Sequence, residues 1–518
     1  MTQRPSLGKM VVGNILTTAA LRYAEKEAFY CSSTGRRFTF RQTNERSNRL
    51  ANALAGLGLV KGDKVAFLVS NRVEIVEIYF ALAKAGLVGI PLNYRLAPVE
   101  MISLMRDIGA KALIAEGRFD EAIRLAHREL PGVKHYVRCG APSGAAAHDY
   151  ETFLAEAAAS EPETDVQEED TFYFNLTSGT TGLPKCYSIT HYNSAAGQLF
   201  QTLDMSSRDV VLTVFPMFGR VGFGWAVCSV MYGIRNVLAN FEPDATLALI
   251  ESERVTTTNL VATMASMLLT APSLSQRDLS SLRAIIFVGS LLPAPIREKS
   301  MERLCAGLYE YYGMQETGAL VASTPEDRAR RPDSVGRAIL FSEIRVVDAE
   351  GKTVPPGENG AILGRSPGAV TAYFENPEKT AETFRDGWIH TGDLGSMDEE
   401  GYLYISGRLK EVIVTGGQNV HAGEVEELIL SHPAVADCAV IGLPDPKWGE
   451  QVAAIVVLKD EHAATEEEII AVCRGRLAGF KTPKQVRMQQ DPLPRTPTGK
   501  VQKFILVERY SQPRNPQQ

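Results

Sequence analysis

The stretch TFYFNLTSGTTGLPK, residues 171 to 185, runs from an apolar strand into a loop of glycines and hydroxyl residues that ends on a lysine. Gly179 and Gly182 let the backbone approach an anion closely, Thr177, Ser178, Thr180 and Thr181 can donate to phosphate oxygens, and Lys185 adds a positive charge. Together they read as a phosphate cradle at the end of a strand. The spacing is not that of P-loop NTPases, which place the lysine directly after the second glycine, because Leu183 and Pro184 intervene. Clusters of Ser, Thr and Gly also make ordinary surface loops, so this segment alone leaves both readings open.

Outward from the loop, strand-length apolar runs alternate with helical patterns. KVAFLVS (64 to 70), LVGIPL (87 to 92), KALIAE (111 to 116) and AIIFVGS (284 to 290) read as strands, and VEIVEIYFALAKAG (73 to 86) as a helix. Such alternation predicts an α/β region with buried, mostly parallel strands. Residues 141 to 170, rich in Ala, Glu, Ser and Pro, read as a surface connection. From about residue 343 short strands with glycine turns predict a smaller β-rich unit. From Glu411 onward a compact α+β domain is expected, containing the helical GEVEELILSHP, the strands ADCAVIGLP and VAAIVVLKD, and the helix EEEIIAVCRGRLAGF. The expected fold is therefore a large α/β region, residues 1–409, built of several subdomains, followed by a small α+β domain, residues 411–518, with a hinge at Lys410.

A chain of 518 residues with 45% hydrophobic content can bury several cores, which suits more than one domain. Its formal net charge of -7 gives no broad basic face, so nucleic acid is not the expected partner. Cys31, Cys139, Cys186, Cys228, Cys305, Cys438 and Cys473 are scattered singly, without zinc or redox spacing, and read as reduced thiols. VVGNILTTAAL, residues 11 to 21, superficially resembles a signal peptide, but Asn14, the threonines and the continuation into RYAEKEAF favour an amphipathic helix. No apolar run reaches the roughly 20 residues of a membrane span, and the terminal NPQQ matches no carboxyl-terminal address. A soluble cytoplasmic protein is expected, with the oligomeric state open and a homodimer as the candidate assembly.

Further motifs follow in order: YYGMQETG (311 to 318), SVGR (334 to 337), TGD (391 to 393), GRLKE (407 to 411), GGQNV (416 to 420) and PRTPTGK (494 to 500). With TSGTTGLPK they resemble, over nearly the whole chain, the adenylate-forming superfamily that includes the acyl-CoA synthetases. The resemblance implies ATP, Mg²⁺ and coenzyme A as the small-molecule partners of a carboxylic acid. It also implies a role for each matched position. Residues 177–182 and Lys185 hold the phosphates, Glu316 holds Mg²⁺, Tyr312 stacks on adenine and Gly289 lines the adenine and acyl sites. Asp393 accepts from the ribose hydroxyls, Arg408 contacts the nucleotide near the hinge, and Lys500 stabilises charge developing during adenylation. Gly416 and Gly417 border the pantetheine tunnel, with Trp448 beside the thiol channel or packed on the surface, and the small domain rotates about Lys410 between half-reactions.

By the same resemblance the acyl pocket draws on FPMFGRVGFGW (215 to 225), Thr263 and Met264, residues 288 to 291, and residues 312 to 318. No Asp or Glu occurs from Phe215 to Asn236, so an α-amino acid would leave its ammonium unpaired. An aliphatic or aryl acid fits better. The chain departs from the family pattern at Gly219, where a histidine is usual, and at Val288, Leu291, Gln315 (for Thr), Cys186 (for Gly) and Ala422 (for Pro). Arg220 is expected to send its guanidinium out to solvent, the alternative being an ion pair with a second carboxylate on the acid. The function implied is an ATP-dependent, AMP-forming acid–thiol ligase that makes an acyl-CoA. The alternatives are a stand-alone adenylation enzyme that loads a carrier protein, and a catalytically silent nucleotide-binding homologue.

Overall fold

Lys64–Leu68, Val88–Pro91 and Ala112–Glu116 lie side by side as parallel strands, buried almost throughout, which is why they read as continuous apolar runs rather than alternating ones. The computed structural model describes residues 8–140, 148–177, 185–198, 203–290, 292–416, 418–459, 462–474, 476–495 and 501–511, with only the backbone described at 176, 177, 185, 410 and 419. Among the described residues these strands belong to a seven-stranded sheet, ordered His148–Asp149, His135–Cys139, Ala112–Glu116, Lys64–Leu68, Val88–Pro91, Thr171–Thr177 and Lys185–Thr190. The last strand is antiparallel and closes the hairpin that carries residues 178–184.

The helix Val73–Ala85 is buried on every side, as a helix apolar all round must be. Its charged residues are matched: Glu77 by Arg46 at 2.6 Å, Glu74 by Arg72 at 2.7 Å and Lys84 by Glu161 at 2.7 Å. It stops at Gly86, whose φ of 67° is a left-handed cap glycine adopts without strain. Across it packs the amphipathic helix Val12–Arg22, burying Val12, Leu16 and Ala19 on one face. The stretch expected as a surface connection is more than that over its described residues, 148–170. Helix Tyr150–Ala155, capped by the Asp149 carboxylate, buries Tyr150, Phe153 and Leu154, and the Tyr150 hydroxyl donates to Glu77 at 2.8 Å.

A second sheet, of nine strands among the described residues, contains the parallel neighbours Leu308–Met314, Ala284–Val288, Thr257–Leu260, Val210–Thr213 and Arg235–Leu238. The region from residue 343 forms a five-stranded antiparallel sheet, including Gly360–Arg365, Trp388–Met397 and Leu403–Arg408. After it, Val412–Thr415, Gln418–His421, Val435–Asp445 and Gly449–Leu458 pair antiparallel, and Gln485–Gln489 adds in parallel. Helices Ala422–Leu430, Glu466–Cys473 and Lys503–Ser511 flank this last sheet. All seven cysteines are free thiols. Among the described residues no helix is long and apolar enough to cross a membrane.

His191 opens the helix after the hairpin, fully buried and stacked on Phe172, and its Nδ1 accepts from the Val12 N–H at 3.4 Å. Burial pushes its pKa down to about 3. Below pH ~6.5 the unfolded chain takes up a proton here that the folded chain refuses, so stability falls with decreasing pH until about 3. By pH 5 this costs about 2 kcal/mol. The thermal midpoint should therefore drop between pH 7 and pH 5, and His191→Gln should shrink that drop. An equal drop in the variant would contradict the assignment.

Candidate active site

Val210–Thr213, Thr257–Leu260, Ala284–Val288 and Leu308–Met314 are consecutive parallel neighbours, so the segments that leave their carboxyl ends lie along one rim of the sheet. Those segments contain Phe215 to Gly219, Thr263 and Met264, Gly289, and the turn at Gln315 to Gly318, which are the stretches expected to line the acyl pocket. Ligands of open parallel sheets bind in this crevice. Gly289 is exposed there with a φ of 87°, a conformation that favours glycine. Part of the expected pocket is core instead. Met217, Phe223 and Trp225 are buried, with Phe223 stacked on Tyr79 at 3.6 Å, because the helix Arg220–Met231 turns this face into the interior. Phe215, Phe218, Gly219 and Val221 stay partly open.

The hairpin places Thr177 directly opposite Lys185. Ser178, Gly179, Thr180, Thr181 and Gly182, like Leu291, Gly417 and Lys500, lie outside the described residues, as do the side chains of Thr177, Lys185 and Lys410. Two residues back along the facing strands, Asn175 donates to the Tyr187 hydroxyl at 2.9 Å. Both also donate to Oε1 of Gln315, each at 3.1 Å. The hairpin is thereby tied to the turn that bears Glu316.

Glu316 is 5% exposed, and its Oε1 accepts from the Tyr373 hydroxyl at 2.5 Å. Burial and the carboxylate together push the Tyr373 hydroxyl pKa up. The Glu316 carbonyl accepts from the Val370 N–H at 2.8 Å. Among the described residues the carboxylate has no cationic partner, and no cluster of three or more acidic, His or Cys residues forms elsewhere. A single buried carboxylate fits Mg²⁺, which takes one or two carboxylates and draws its remaining oxygens from phosphates and water.

Tyr312 and Arg408 meet at Asp393. The Tyr312 hydroxyl donates to Oδ2 at 2.8 Å, and Arg408 Nε lies 3.2 Å from Oδ1. Asp393 and Arg408 are register partners on antiparallel strands, so the pair is built by backbone pairing, and the Asp393 N–H is held by Thr391 at 3.1 Å. Burial, with Asp393 second, raises the Tyr312 pKa and keeps it a donor. Half-buried Tyr312 packs one side against the cluster containing Leu320 and Val321.

Lys410 lies in the short turn Leu409–Glu411 between Arg408 and the last sheet. Arg495 and Val501 bridge on either side of the segment that includes Lys500. Gly416 has a φ of 56°, and a Cβ there would come within 2.7 Å of the Trp448 ring, so glycine is needed on both counts. Trp448 is 49% exposed and covers that glycine rather than filling a core.

Arg220 departs from expectation. Its side chain is 8% exposed rather than extended to solvent, and Nη1 and Nη2 donate to the carbonyls of Gln315 and Gly368. Opening an inward-facing helix, the guanidinium is surrounded by backbone acceptors. The sequence reading also missed Tyr373, Asn175 and Tyr187. None stands in a motif, and for Asn175 and Tyr187 the one available signal was their place two residues from the loop.

A family model for AMP-binding enzymes matches residues 16–374, and one for the AMP-binding enzyme C-terminal domain matches residues 424–500. The chain is 35% identical over 507 residues to the long-chain-fatty-acid–CoA ligase FadD13 of Mycobacterium tuberculosis, across 96% of this chain and 98% of the relative. It is 36% identical to a feruloyl-CoA synthase from an Amycolatopsis species, across 92% and 94% of the two chains. Its fold matches the anthranilate CoA ligase AuaEII, solved in complex with anthranoyl-AMP, with a TM-score of 0.90 at 30% identity and 96% coverage of each chain. The motif order, the rim of the parallel sheet and these matches agree: the chain belongs to the adenylate-forming AMP-binding enzymes.

Proposed function

We infer that the chain is an ATP-dependent carboxylate–CoA ligase, which activates an aliphatic or aryl carboxylic acid as acyl-AMP and then forms the acyl-CoA thioester. The observation that carries this reading is that the one stretch 312–316 joins two sets of contacts, Gln315 to the strands flanking the phosphate loop and Tyr312 to Asp393 and Arg408. A fatty acid, ferulate and anthranilate relative all support an aliphatic or aryl acid. The absence of Asp or Glu from Phe215 to Asn236 supports an acid without an ammonium group.

In the first half-reaction a carboxylate oxygen attacks the α-phosphorus of ATP, and the bond to pyrophosphate breaks. The protein supplies position and positive charge rather than a base. The loop from Thr177 to Gly182 and Lys185 hold the phosphates, and Glu316 would hold Mg²⁺, which neutralises phosphate charge when bound. Asp393 accepts from the ribose hydroxyls, Tyr312 stacks on adenine, Arg408 contacts the nucleotide, Gly289 leaves room for it, and Lys500 faces the charge developing on the reacting oxygens. In the second half-reaction the thiolate sulfur attacks the acyl carbon and AMP leaves, the thiol proton passing to solvent. Residues 1–409 and 411–518 move relative to each other about Lys410 between the two steps, bringing Gly417 to the pantetheine. We place the enzyme in the cytoplasm on its unpaired cysteines.

AMP release should be measured over a panel of fatty and aryl acids with coenzyme A or a phosphopantetheinylated carrier protein as acceptor. Release and thioester formation with free coenzyme A are expected. Release only with the carrier protein would replace the acceptor in this reading.

A further inference from the structure

We propose that Arg220 and Gln315 form a brace that positions Glu316, locking its carboxylate to both the acyl-segment helix and the phosphate hairpin. Arg220 is a positioning residue here and not a contact for the acid. The inference rests on reading Glu316 as the metal carboxylate.

A guanidinium buried this deeply is costly unless its donors are satisfied, and among the described residues Arg220 makes no ion pair. What it holds is two backbone carbonyls, Gln315 and Gly368. Each belongs to a segment in direct contact with Glu316. Gln315 precedes it in the chain. Gly368 lies two residues before Val370, whose N–H donates to the Glu316 carbonyl, and five before Tyr373, whose hydroxyl donates to the carboxylate. The guanidinium thus clamps together the two strands of chain that fix Glu316 from its backbone and from its carboxylate.

The site is built to admit it. A Cβ at Gly318 would come within 3.1 Å of Nη2, and one at Gly368 within 3.2 Å, so both positions leave the space that the guanidinium fills. The other arm of the brace is the Gln315 side chain. Its Oε1 accepts from Asn175 and Tyr187, register partners on the two strands that end at Thr177 and Lys185. The threonine usual at this position has its hydroxyl on Cβ and lacks the reach to meet both donors, so the long amide makes this link. Gln315 is a departure from the family pattern, and Arg220 meets it at its carbonyl. The acyl segment, the metal carboxylate and the strands that flank the phosphate loop are thereby held in one frame, where a displacement of about 1 Å can cost about 100-fold in rate.

The test uses the full-length enzyme with Arg220→Met, Arg220→Lys, Gln315→Met and Glu316→Gln. Acid-dependent pyrophosphate exchange, the Mg²⁺ concentration giving half-maximal rate at fixed ATP, KM for the acid, and the thermal midpoint are measured on each. The brace predicts that Arg220→Met and Gln315→Met each slow exchange about tenfold or more and raise the Mg²⁺ requirement severalfold. KM and preference among mono- and dicarboxylic acids should stay within about twofold, and Arg220→Lys, which can reach one carbonyl, should recover part of the loss. A changed acid preference with an unchanged Mg²⁺ requirement would overturn it in favour of substrate recognition. So would losses that merely follow the folded fraction in both Arg220→Met and the milder Gln315→Met. If Glu316→Gln is crippled while these variants are not, the brace alone falls. If Glu316→Gln retains full exchange, the metal reading falls and the brace with it.

Discussion

Replacing Lys500 with alanine is expected to slow acyl-AMP formation by about 100- to 1,000-fold while leaving conversion of supplied acyl-AMP to thioester nearly unchanged. The asymmetry follows from where charge develops. In adenylation two anions meet, and a cation aimed at the reacting oxygens stabilises the transition state more than the ground state. In thioester formation the α-phosphate is a leaving group that carries its charge away. On either side of the segment bearing Lys500, Arg495 pairs with Asp437 at 2.5 Å and bridges Val501, and Leu493 is buried. The neighbouring Lys503 has a different task, pairing with Glu411 at 3.0 Å and Glu426 at 2.8 Å, so it ties the last helix to the start of its domain. Lys500→Ala should therefore leave the thermal midpoint unchanged, whereas Lys503→Ala should lower it. Pyrophosphate exchange and single-turnover transfer from isolated acyl-AMP separate the half-reactions. Equal losses in both would contradict the role given to Lys500.

Glu316→Gln carries the second large effect, a loss of about 100-fold or more in adenylation accompanied by a much higher Mg²⁺ requirement. The substitution preserves volume and an acceptor for the Tyr373 hydroxyl, now 2.5 Å from Oε1, while removing the charge. Because the carboxylate lacks a cationic partner among the described residues, neutralising it breaks no ion pair there. The effect should fall on metal binding and rate rather than on folding. A wild-type Mg²⁺ titration in this variant would show that the carboxylate holds no metal.

Much of this was legible in the sequence, for physical reasons. Parallel strands covered on both faces must be apolar at every position, so Lys64–Leu68, Ala112–Glu116 and Ala284–Val288 stand out as unbroken runs. The motif residues Tyr312, Asp393 and Arg408 are far apart in sequence, but Asp393 and Arg408 are brought together by a strand register and Tyr312 reaches them with its hydroxyl. The helix Tyr150–Ala155 was missed because six residues are too few to display a helical period. Arg220 was misread because its partners are carbonyl oxygens, which every residue carries and no pattern reveals. Tyr373 and Asn175 escaped for a related cause: each matters through hydrogen bonding to a group distant in sequence.

The most direct test of the two-step reading is acid-dependent exchange of labelled pyrophosphate into ATP in the absence of coenzyme A, run over a panel of fatty and aryl acids. Exchange with at least one acid, abolished by Lys500→Ala, is the predicted result. No exchange with any acid, in an enzyme that still makes thioester when coenzyme A is present, would contradict an acyl-AMP formed before the thiol arrives.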